Sequence, residues 1–299
     1  MLPSLLRQGQ TNDQWYFPMS SRRTKVAMHP VAEFPAARAV ALSYLLTDID
    51  DTLTTDGRLG ADAYRALERL EKAGVAVVPV TGRPAGWCDL VARFWPVAAV
   101  VGENGAFYFR YDRKARQMTR RFWTDRATID IARVRLATLA VEITTQVPGV
   151  AVSADQAYRV ADLAIDYRED VTPLPRVAAE RVVALLEAAG ANAKISSIHV
   201  NGWFGDFDKL SMTKMLFAEV FAVDIEQSSD EIAFIGDSPN DAPMFAFFPL
   251  AVGVANIREF ADDLATPPAY VTDAASGAGF VEFAEHVLES PYRTVPAQD

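Results

Sequence analysis

The chain has 299 residues, of which 50% are hydrophobic and 23% are charged. This composition is typical of a globular protein and unlike that of a disordered chain, and the length favours about two domains. Its 39 acidic and 29 basic residues give a net charge of −10, which argues against nucleic acid or an acidic membrane surface as the main partner. The single cysteine, Cys88, excludes an intramolecular disulfide framework and a cysteine-rich zinc site.

Other general features favour an intracellular location. The first ten residues lack the long apolar core of a signal peptide, and no run of about 18 uncharged apolar residues could span a bilayer. A single cysteine suits a reducing compartment. We therefore expect a soluble cytoplasmic protein that binds neither membranes nor nucleic acid, and its oligomeric state stays open.

The N-terminal segment, residues 1–40, differs from the rest of the chain in composition and hydrophobic pattern. It contains five basic and only two acidic residues, together with four prolines, and it has no clear hydrophobic period. We predict an irregular extension. Docking through the aromatic cluster Trp15, Tyr16 and Phe17 and a disordered tail are both open alternatives.

From Val40 onward, apolar runs alternate with helical patterns, which is typical of a parallel sheet covered by helices on both faces. Strands are predicted at 43–49, 75–80 and 97–101, with helices between them. Residues 110–203 instead read as helix, short strands, helix and strand, an inserted α+β module. We therefore predict a doubly wound, Rossmann-like α/β core formed by residues 41–109 and 204–299, a cap domain at 110–203 and the N-terminal extension 1–40.

Polar segments follow several predicted strands, where open α/β sheets bind their ligands. Asp48 and Asp50 follow the first core strand, Thr81 and Gly82 follow the second, and Asp237 and Asp241 follow a later one. Lys209 instead heads a predicted helix. Carboxylate oxygens gathered in this way suit a hard cation such as Mg²⁺. Together with Lys209, that cation would let a phosphate dianion enter an acidic crevice.

In this order the segments resemble the four motifs of the haloacid dehalogenase superfamily of phosphohydrolases. The resemblance extends over residues 43–290. The position of the insert and the sequence GDSPND at 236–241 are similar to those of the type IIB cap subclass, which includes Cof-like and sucrose-phosphate phosphatases. One departure is Asp51, which stands where many relatives have glycine.

The resemblance implies a role for each motif residue. Asp48 would be the nucleophile that forms an aspartyl-phosphate, and Asp50 would be the general acid and base. Thr81 and the amide of Gly82 would hold the phosphoryl oxygens, and Lys209 would neutralise charge in the transition state.

The resemblance also implies a Mg²⁺ site. Its ligands would be Asp48, the backbone carbonyl of Asp50 and Asp237. Asp241 would lie in the outer shell, and Asn240 would orient the cluster.

Further candidates for substrate contact lie outside the motifs. Alternation along 195–204 puts His199 and Asn201 on one face and Val200 on the other. If Val200 packs on cap helices, His199 and Asn201 face the crevice and contact the leaving group; an ordinary solvent-facing sheet surface is the alternative. Arg159 and Arg168 are weaker candidates. Asn104 lies with Glu103 on a strand-end loop, where substrate contact and turn chemistry are both open.

The expected function is Mg²⁺-dependent hydrolysis of a phosphate monoester through an aspartyl-phosphate intermediate. The substrate would be a small phosphorylated metabolite, and the resemblance favours a sugar phosphate. A phosphomutase of the same superfamily and a phospho-ligand binding protein without turnover are the alternatives. A glycosidase with Asp48 and Asp50 as its two catalytic carboxylates is disfavoured. Both residues lie at one strand end and are badly placed to flank a glycosidic bond from opposite sides.

Overall fold

A computed structural model describes residues 27–262 and 264–290. The aromatic cluster Trp15, Tyr16 and Phe17 lies outside these residues. Among the helices in the described ranges, none is both long enough and apolar enough to cross a membrane.

Thirteen strands and eight α-helices are formed by the described residues. The strands are β1 His29–Pro30, β2 Tyr44–Thr47, β3 Ala76–Pro79, β4 Val100–Gly102, β5 Phe107–Asp112, β6 Gln117–Phe122, β7 Ala151–Val152, β8 Asp162–Asp166, β9 Asn192–Ile195, β10 His199–Trp203, β11 Ile232–Gly236, β12 Leu250–Gly253 and β13 Tyr270–Val271. The helices are α1 Ala36–Ala41, α2 Ala61–Lys72, α3 Ala85–Phe94, α4 Arg126–Gln146, α5 Arg176–Ala188, α6 Lys209–Leu216, α7 Ala242–Phe247 and α8 Ser276–Leu288.

The central sheet has six parallel strands in the order β1-β13-β12-β11-β2-β3. Every residue of β11 is buried, as expected for a strand covered on both faces. One apolar cluster packs α2 and α8 on one side of the sheet, and a second packs α6 and α7 on the other. The predicted doubly wound α/β core is confirmed.

Beyond β3, the fold continues into a small antiparallel sheet, β4-β5-β6. A parallel bridge between Val80 and Val101 joins it to the central sheet. Phe107 and Phe109 of β5 are buried with Val91 and Ala92 of α3. The hairpin β5–β6 therefore packs with core elements, and the cap boundary predicted at residue 110 falls inside β5.

The segment just before residue 41 is ordered where the structure describes it. His29 and Pro30 pair with Tyr270 and Val271 as an edge strand, and Phe34 is buried against α8. A 3-10 turn and α1 follow. This differs from the predicted irregular extension because its scattered apolar side chains are buried by tertiary packing rather than by a periodic face.

The inserted module is a four-stranded antiparallel sheet, β7-β8-β10-β9, with α4 and α5 on one face. Val200 of β10 lies in the apolar cluster formed with these helices, as the alternation predicted. His199 and Asn201 project from the opposite face and line a pocket with Asp48. The sheet therefore presents its polar side chains to the core.

Candidate active site

Three buried carboxylates meet at the carboxyl edge of the central sheet. Asp48 follows β2, Asp237 follows β11, and Asp241 ends the short turn after Asp237. Because β2 and β11 are neighbours in the sheet, one oxygen from each of the three carboxylates lies within 4.8 Å of the others. The sequence-predicted metal ligands Asp48, Asp237 and Asp241 are thus brought together.

Lys209 supplies the positive charge of this cluster. It is the first residue of α6, whose start is fixed by a capping box between Asp208 and Ser211. Its Nζ donates to Asp48 Oδ1 at 2.8 Å and to Asp241 Oδ1 at 2.7 Å. Burial alone would lower the pKa of Lys209, but the adjacent carboxylates outweigh that effect and raise it.

The cluster carries more negative than positive charge. Burial raises the pKa of Asp48 to about 7; Lys209 opposes the rise, and Asp241 and Asp50 add to it. Burial, together with the nearby carboxylates of Asp48, Asp241 and Asp51, raises the pKa of Asp237 well above its usual range. Three buried carboxylates against one ammonium group call for a further cation. An oxygen-only donor set of this kind fits a hard divalent cation.

Neighbouring side chains and backbone groups form hydrogen bonds with the carboxylates and with the loop that carries them. Thr52 Oγ1 donates to Asp237 Oδ1 at 3.2 Å. Asn256 Nδ2 donates to the Asp51 carbonyl at 3.0 Å, and Asp241 Oδ2 accepts from the Asp237 amide at 3.2 Å. Thr52 belongs to the first motif, but neither it nor Asn256 was assigned a role from the sequence. Asn256 lies outside every motif, and no sequence signal points to it.

Thr81 and Gly82 form a loop beside Asp48. The Thr81 amide donates to the carbonyl of Val101, and its Oγ1 accepts from the amide of Arg83 at 3.0 Å. Asn104 adopts a left-handed conformation with φ 55°. Its amide donates to the Thr81 carbonyl, which brings its side chain next to Gly82. The buried Asn104 Nδ2 has no hydrogen-bond partner within the described ranges.

Asp50 is not one of the three clustered carboxylates. Arg83 Nε lies 2.9 Å from each of its carboxylate oxygens, and Arg83 Nη2 donates to Glu169 Oε1 of the cap at 2.7 Å. Arg83 also stacks over Trp87, with its Cζ 4.3 Å from the ring centroid. The Asp50 side chain is thus paired with Arg83 and lies apart from the group formed by Asp48, Asp237 and Asp241.

The cap closes the pocket over Asp48. Asn201 Nδ2 donates to Asp162 Oδ2 at 2.9 Å, and His199 Nε2 lies 2.9 Å from Glu169 Oε2 without good hydrogen-bond geometry. Both side chains line a pocket of only about 10 Å³ together with Asp48 and Gly82. This volume holds about one water molecule, so a phosphorylated substrate requires the cap to move.

The two arginine candidates have different surroundings. Arg159 is fully buried on Asp155 and Asp162 and is not among the residues that line the pocket with Asp48. Arg168 lines an outer cavity of about 500 Å³ with Glu169 and Asp51. Glu169 was missed, since an acidic residue in a cap loop gives no sequence signal of its contact with Arg83.

Comparison with known proteins agrees with this architecture. Residues 45–134 match the haloacid dehalogenase-like hydrolase family. A phosphoglycolate phosphatase of Methanopyrus kandleri is 25% identical over 249 residues, which cover 83% of this chain and 97% of that protein. The crystal structure of Thermoplasma acidophilum 0175 is 20% identical, with a TM-score of 0.62 over 82% of this chain and 98% of that one. A subclass IIB sugar phosphatase is 14% identical, with a TM-score of 0.55 over 82% of this chain and 98% of that one.

Residues 45–134 of the chain are thus similar in sequence to the haloacid dehalogenase-like hydrolases. Its core and inserted cap have the same fold as these two solved structures.

Proposed function

We propose that the protein hydrolyses a phosphate monoester through a covalent aspartyl-phosphate, with a divalent cation as cofactor. The observation that carries this proposal is the buried group Asp48, Asp237 and Asp241 with Lys209 on two of its oxygens. A carboxylate nucleophile, an adjacent cation site and a fixed ammonium group are the components that phosphoryl transfer needs.

Each residue then has a chemical task. A bound Mg²⁺ would be held by Asp48 and Asp237, with Asp241 beside it, and would neutralise charge on the phosphoryl oxygens. Asp48 attacks phosphorus, and Asp50 gives a proton to the leaving alcohol and then takes one from the attacking water. Thr81 and the Gly82 amide hold the phosphoryl oxygens, while Lys209 stabilises the charge that develops on them. Asn104 supplies an unused buried donor beside Gly82.

A small phosphorylated metabolite, and in particular a sugar phosphate, is the substrate class that we favour. The cap side chains His199 and Asn201, which line the pocket with Asp48, offer hydrogen bonds to a hydroxylated leaving group. A subclass IIB relative of the same fold acts on sugar phosphates according to its name. We expect the reaction to take place in the cytosol, where an unpaired cysteine such as Cys88 stays reduced.

The variant Asp48→Asn tests the covalent mechanism. Purified protein with Mg²⁺ is assayed for phosphate release from a panel of sugar phosphates and other small phosphate esters. We expect Asp48→Asn to lose roughly 10⁴-fold or more in kcat, since it removes the nucleophile. Asp56→Asn, which changes an exposed acid of the same loop, is the matched control and retains activity.

Three outcomes contradict the proposal. Surviving activity in Asp48→Asn rules out the covalent route. Conversion of one sugar phosphate into its isomer, without release of phosphate, identifies a mutase instead. Binding of phosphate esters by the wild-type protein without any turnover identifies a binding protein.

A further inference from the structure

The peptide group between Gly82 and Arg83 is held from both sides. Its N–H, on Arg83, donates to Thr81 Oγ1 at 3.0 Å. Its carbonyl oxygen, on Gly82, accepts from Arg159 Nη1 at 2.8 Å. Because a peptide group is a rigid plane, these two bonds together fix its orientation. One of them comes from the loop itself and the other from the cap.

Arg159 is itself fixed in place. Its side chain is fully buried, its Nε and Nη2 donate to the two oxygens of Asp155 at 2.9 and 3.1 Å, and its Nη1 donates to Asp162 Oδ1 at 3.0 Å. A planar guanidinium paired with two buried carboxylates has little rotational freedom. Its bond to the Gly82 carbonyl therefore has a defined direction.

The chain that carries Arg159 is docked on the core through its backbone. The buried carboxylate of Glu103, which follows β4, accepts the amides of Val160 at 2.9 Å, Ala161 at 2.6 Å and Asp162 at 3.2 Å. The same carboxylate accepts the amide of Ala85 in the core helix α3. This edge of the cap is thus bound to the core beside the Thr81–Gly82 loop.

The orientation of the peptide decides what the Thr81 hydroxyl group can do. A hydroxyl group has one donor hydrogen and two acceptor sites. The Arg83 amide occupies an acceptor site, and the hydroxyl hydrogen has no acceptor among the described residues. If the peptide turned over, the Gly82 carbonyl would face Thr81 and would accept that hydrogen. Glycine permits this rotation of the peptide group more readily than other residues. A contact from outside the loop is therefore needed to fix the orientation of the peptide.

We propose that Arg159 is a positioning residue for the phosphate-binding loop. By holding the Gly82 carbonyl, it keeps the Arg83 amide on Thr81 and leaves the Thr81 hydroxyl hydrogen free for a phosphoryl oxygen. This inference rests on the proposed function, since it uses the assignment of Thr81 to the phosphoryl group. It makes a residue of the cap part of the core's phosphate site.

The variant Arg159→Lys tests this role. Lysine keeps the charge opposite Asp155 and Asp162, but one ammonium group cannot reproduce the fork that spans both carboxylates and the carbonyl. We expect kcat to fall about 10²-fold, as for a small misplacement of a reacting group, with KM nearly unchanged. The matched control is Arg135→Lys on α4, where the guanidinium donates to the Ala189 carbonyl at 3.2 Å within the cap, and it keeps kcat near the wild-type value.

A double-mutant cycle with Thr81→Val separates positioning from a merely structural effect. If Arg159 acts through the Thr81 hydroxyl group, Arg159→Lys costs little further activity when that hydroxyl group is already absent. The proposal is overturned if Arg159→Lys lowers kcat in the Thr81→Val background by the same factor as in the wild type. An equal loss of kcat in Arg135→Lys also overturns it.

A second measurement does not depend on turnover. Amide hydrogen exchange at Arg83, followed by NMR without substrate, is expected to be faster in Arg159→Lys than in the wild type, while the amides of 160–162 stay protected by Glu103. Unchanged protection at Arg83 contradicts the proposal. If Arg159→Lys does not fold, Arg159→Gln combined with Asp162→Asn removes the guanidinium with one of its partner charges and is measured in the same way.

The exchange measurement also separates this inference from the proposed function. A wild-type protein that hydrolyses no phosphate ester contradicts the proposed function. Exchange at Arg83 then still decides whether Arg159 holds the peptide.

Discussion

Single residues decide how closely the charged groups of the site approach one another. A Cβ atom at Gly236 would lie 2.4 Å from Asp241 Oδ2, well inside van der Waals contact. Glycine at the end of β11 therefore lets Asp241 turn back toward Asp48 and Lys209. The GDSPND motif thus combines a steric requirement at its first position with carboxylates at its second and last positions.

Gly236→Ala is expected to displace Asp241 and weaken the cation site. We expect a loss of about 1–3 kcal/mol in the free energy of unfolding, because the added methyl group overpacks a buried position, together with weaker stabilisation by Mg²⁺. Urea titrations with and without Mg²⁺ measure both effects. Gly60→Ala is the control, since φ is −71° there and nothing lies within 4 Å of the added Cβ. Equal effects of the two substitutions contradict the steric explanation.

His199 offers a test of substrate contact by the cap. We expect His199→Ala to lower kcat/KM for the best sugar phosphate about 10-fold, the cost of about one hydrogen bond. Hydrolysis of acetyl phosphate, which lacks a sugar leaving group, should change little. His286→Ala on α8, where the ring lies 3.1 Å from the Phe34 carbonyl, is the control. An unchanged kcat/KM for the sugar phosphate removes His199 from the substrate site.

At the scale of elements, one ionic link joins the loop after β8 to the loop after β3. Glu169 of the cap contacts Arg83, and Arg83 contacts Asp50. The Glu169 side chain is 25% exposed, so this link is more accessible than the buried contacts of Arg159. The cap therefore contacts the core through a buried connection near Arg159 and a more exposed one at Glu169.

The Glu169 contact gives a defined pH dependence. Burial alone would raise the pKa of Glu169, but His199 and Arg83 outweigh it and lower this pKa to about 2. A lowered folded-state pKa stabilises the fold above the ordinary glutamate value of about 4.5, and this contribution disappears as the pH falls toward 2. We expect Glu169→Gln to cost on the order of 1 kcal/mol at pH 7, after allowance for solvent screening.

Urea unfolding of the wild type and Glu169→Gln between pH 7 and pH 3 measures this contribution. The difference between the two proteins should be constant near neutrality and should shrink below about pH 4.5. Glu180→Gln, at an exposed pair with Arg176 on α5, is the control and should show little difference. A difference that stays constant down to pH 3 contradicts the assigned pKa.

For the whole molecule, folding brings the carboxylates of Asp48, Asp237 and Asp241 together, and a bound cation would compensate their negative charge. A ligand that binds only the folded state stabilises it by about 2.7 kcal/mol at a concentration of 100 Kd. We therefore expect saturating Mg²⁺ to raise Tm by roughly 5–10 °C, measured by calorimetry, and EDTA to reverse the increase. In Asp237→Asn the shift should be lost. A similar shift in Asp237→Asn, or with NaCl at equal ionic strength, contradicts a specific site.

The class of fold and the position of the core motif segments along the chain could be predicted from the sequence alone. Apolar runs such as β2 and β11 are continuous because both faces of a parallel sheet are buried. Asp48, Asp237 and Thr81 follow such runs, so the chain itself locates them at one edge of the sheet. Lys209 was located by a different local feature, the start of a helix.

Only the tertiary structure decided which groups face those residues. The contacts of Arg83 with Glu169 and of Arg159 with Gly82 join residues 86 and 77 positions apart, and no local pattern encodes them. The packing of 29–41 on the central sheet and the assignment of β5–β6 to the core depend likewise on distant partners. Periodicity and capping act over a few residues, whereas the burial of a charge or of an apolar side chain depends on the whole fold.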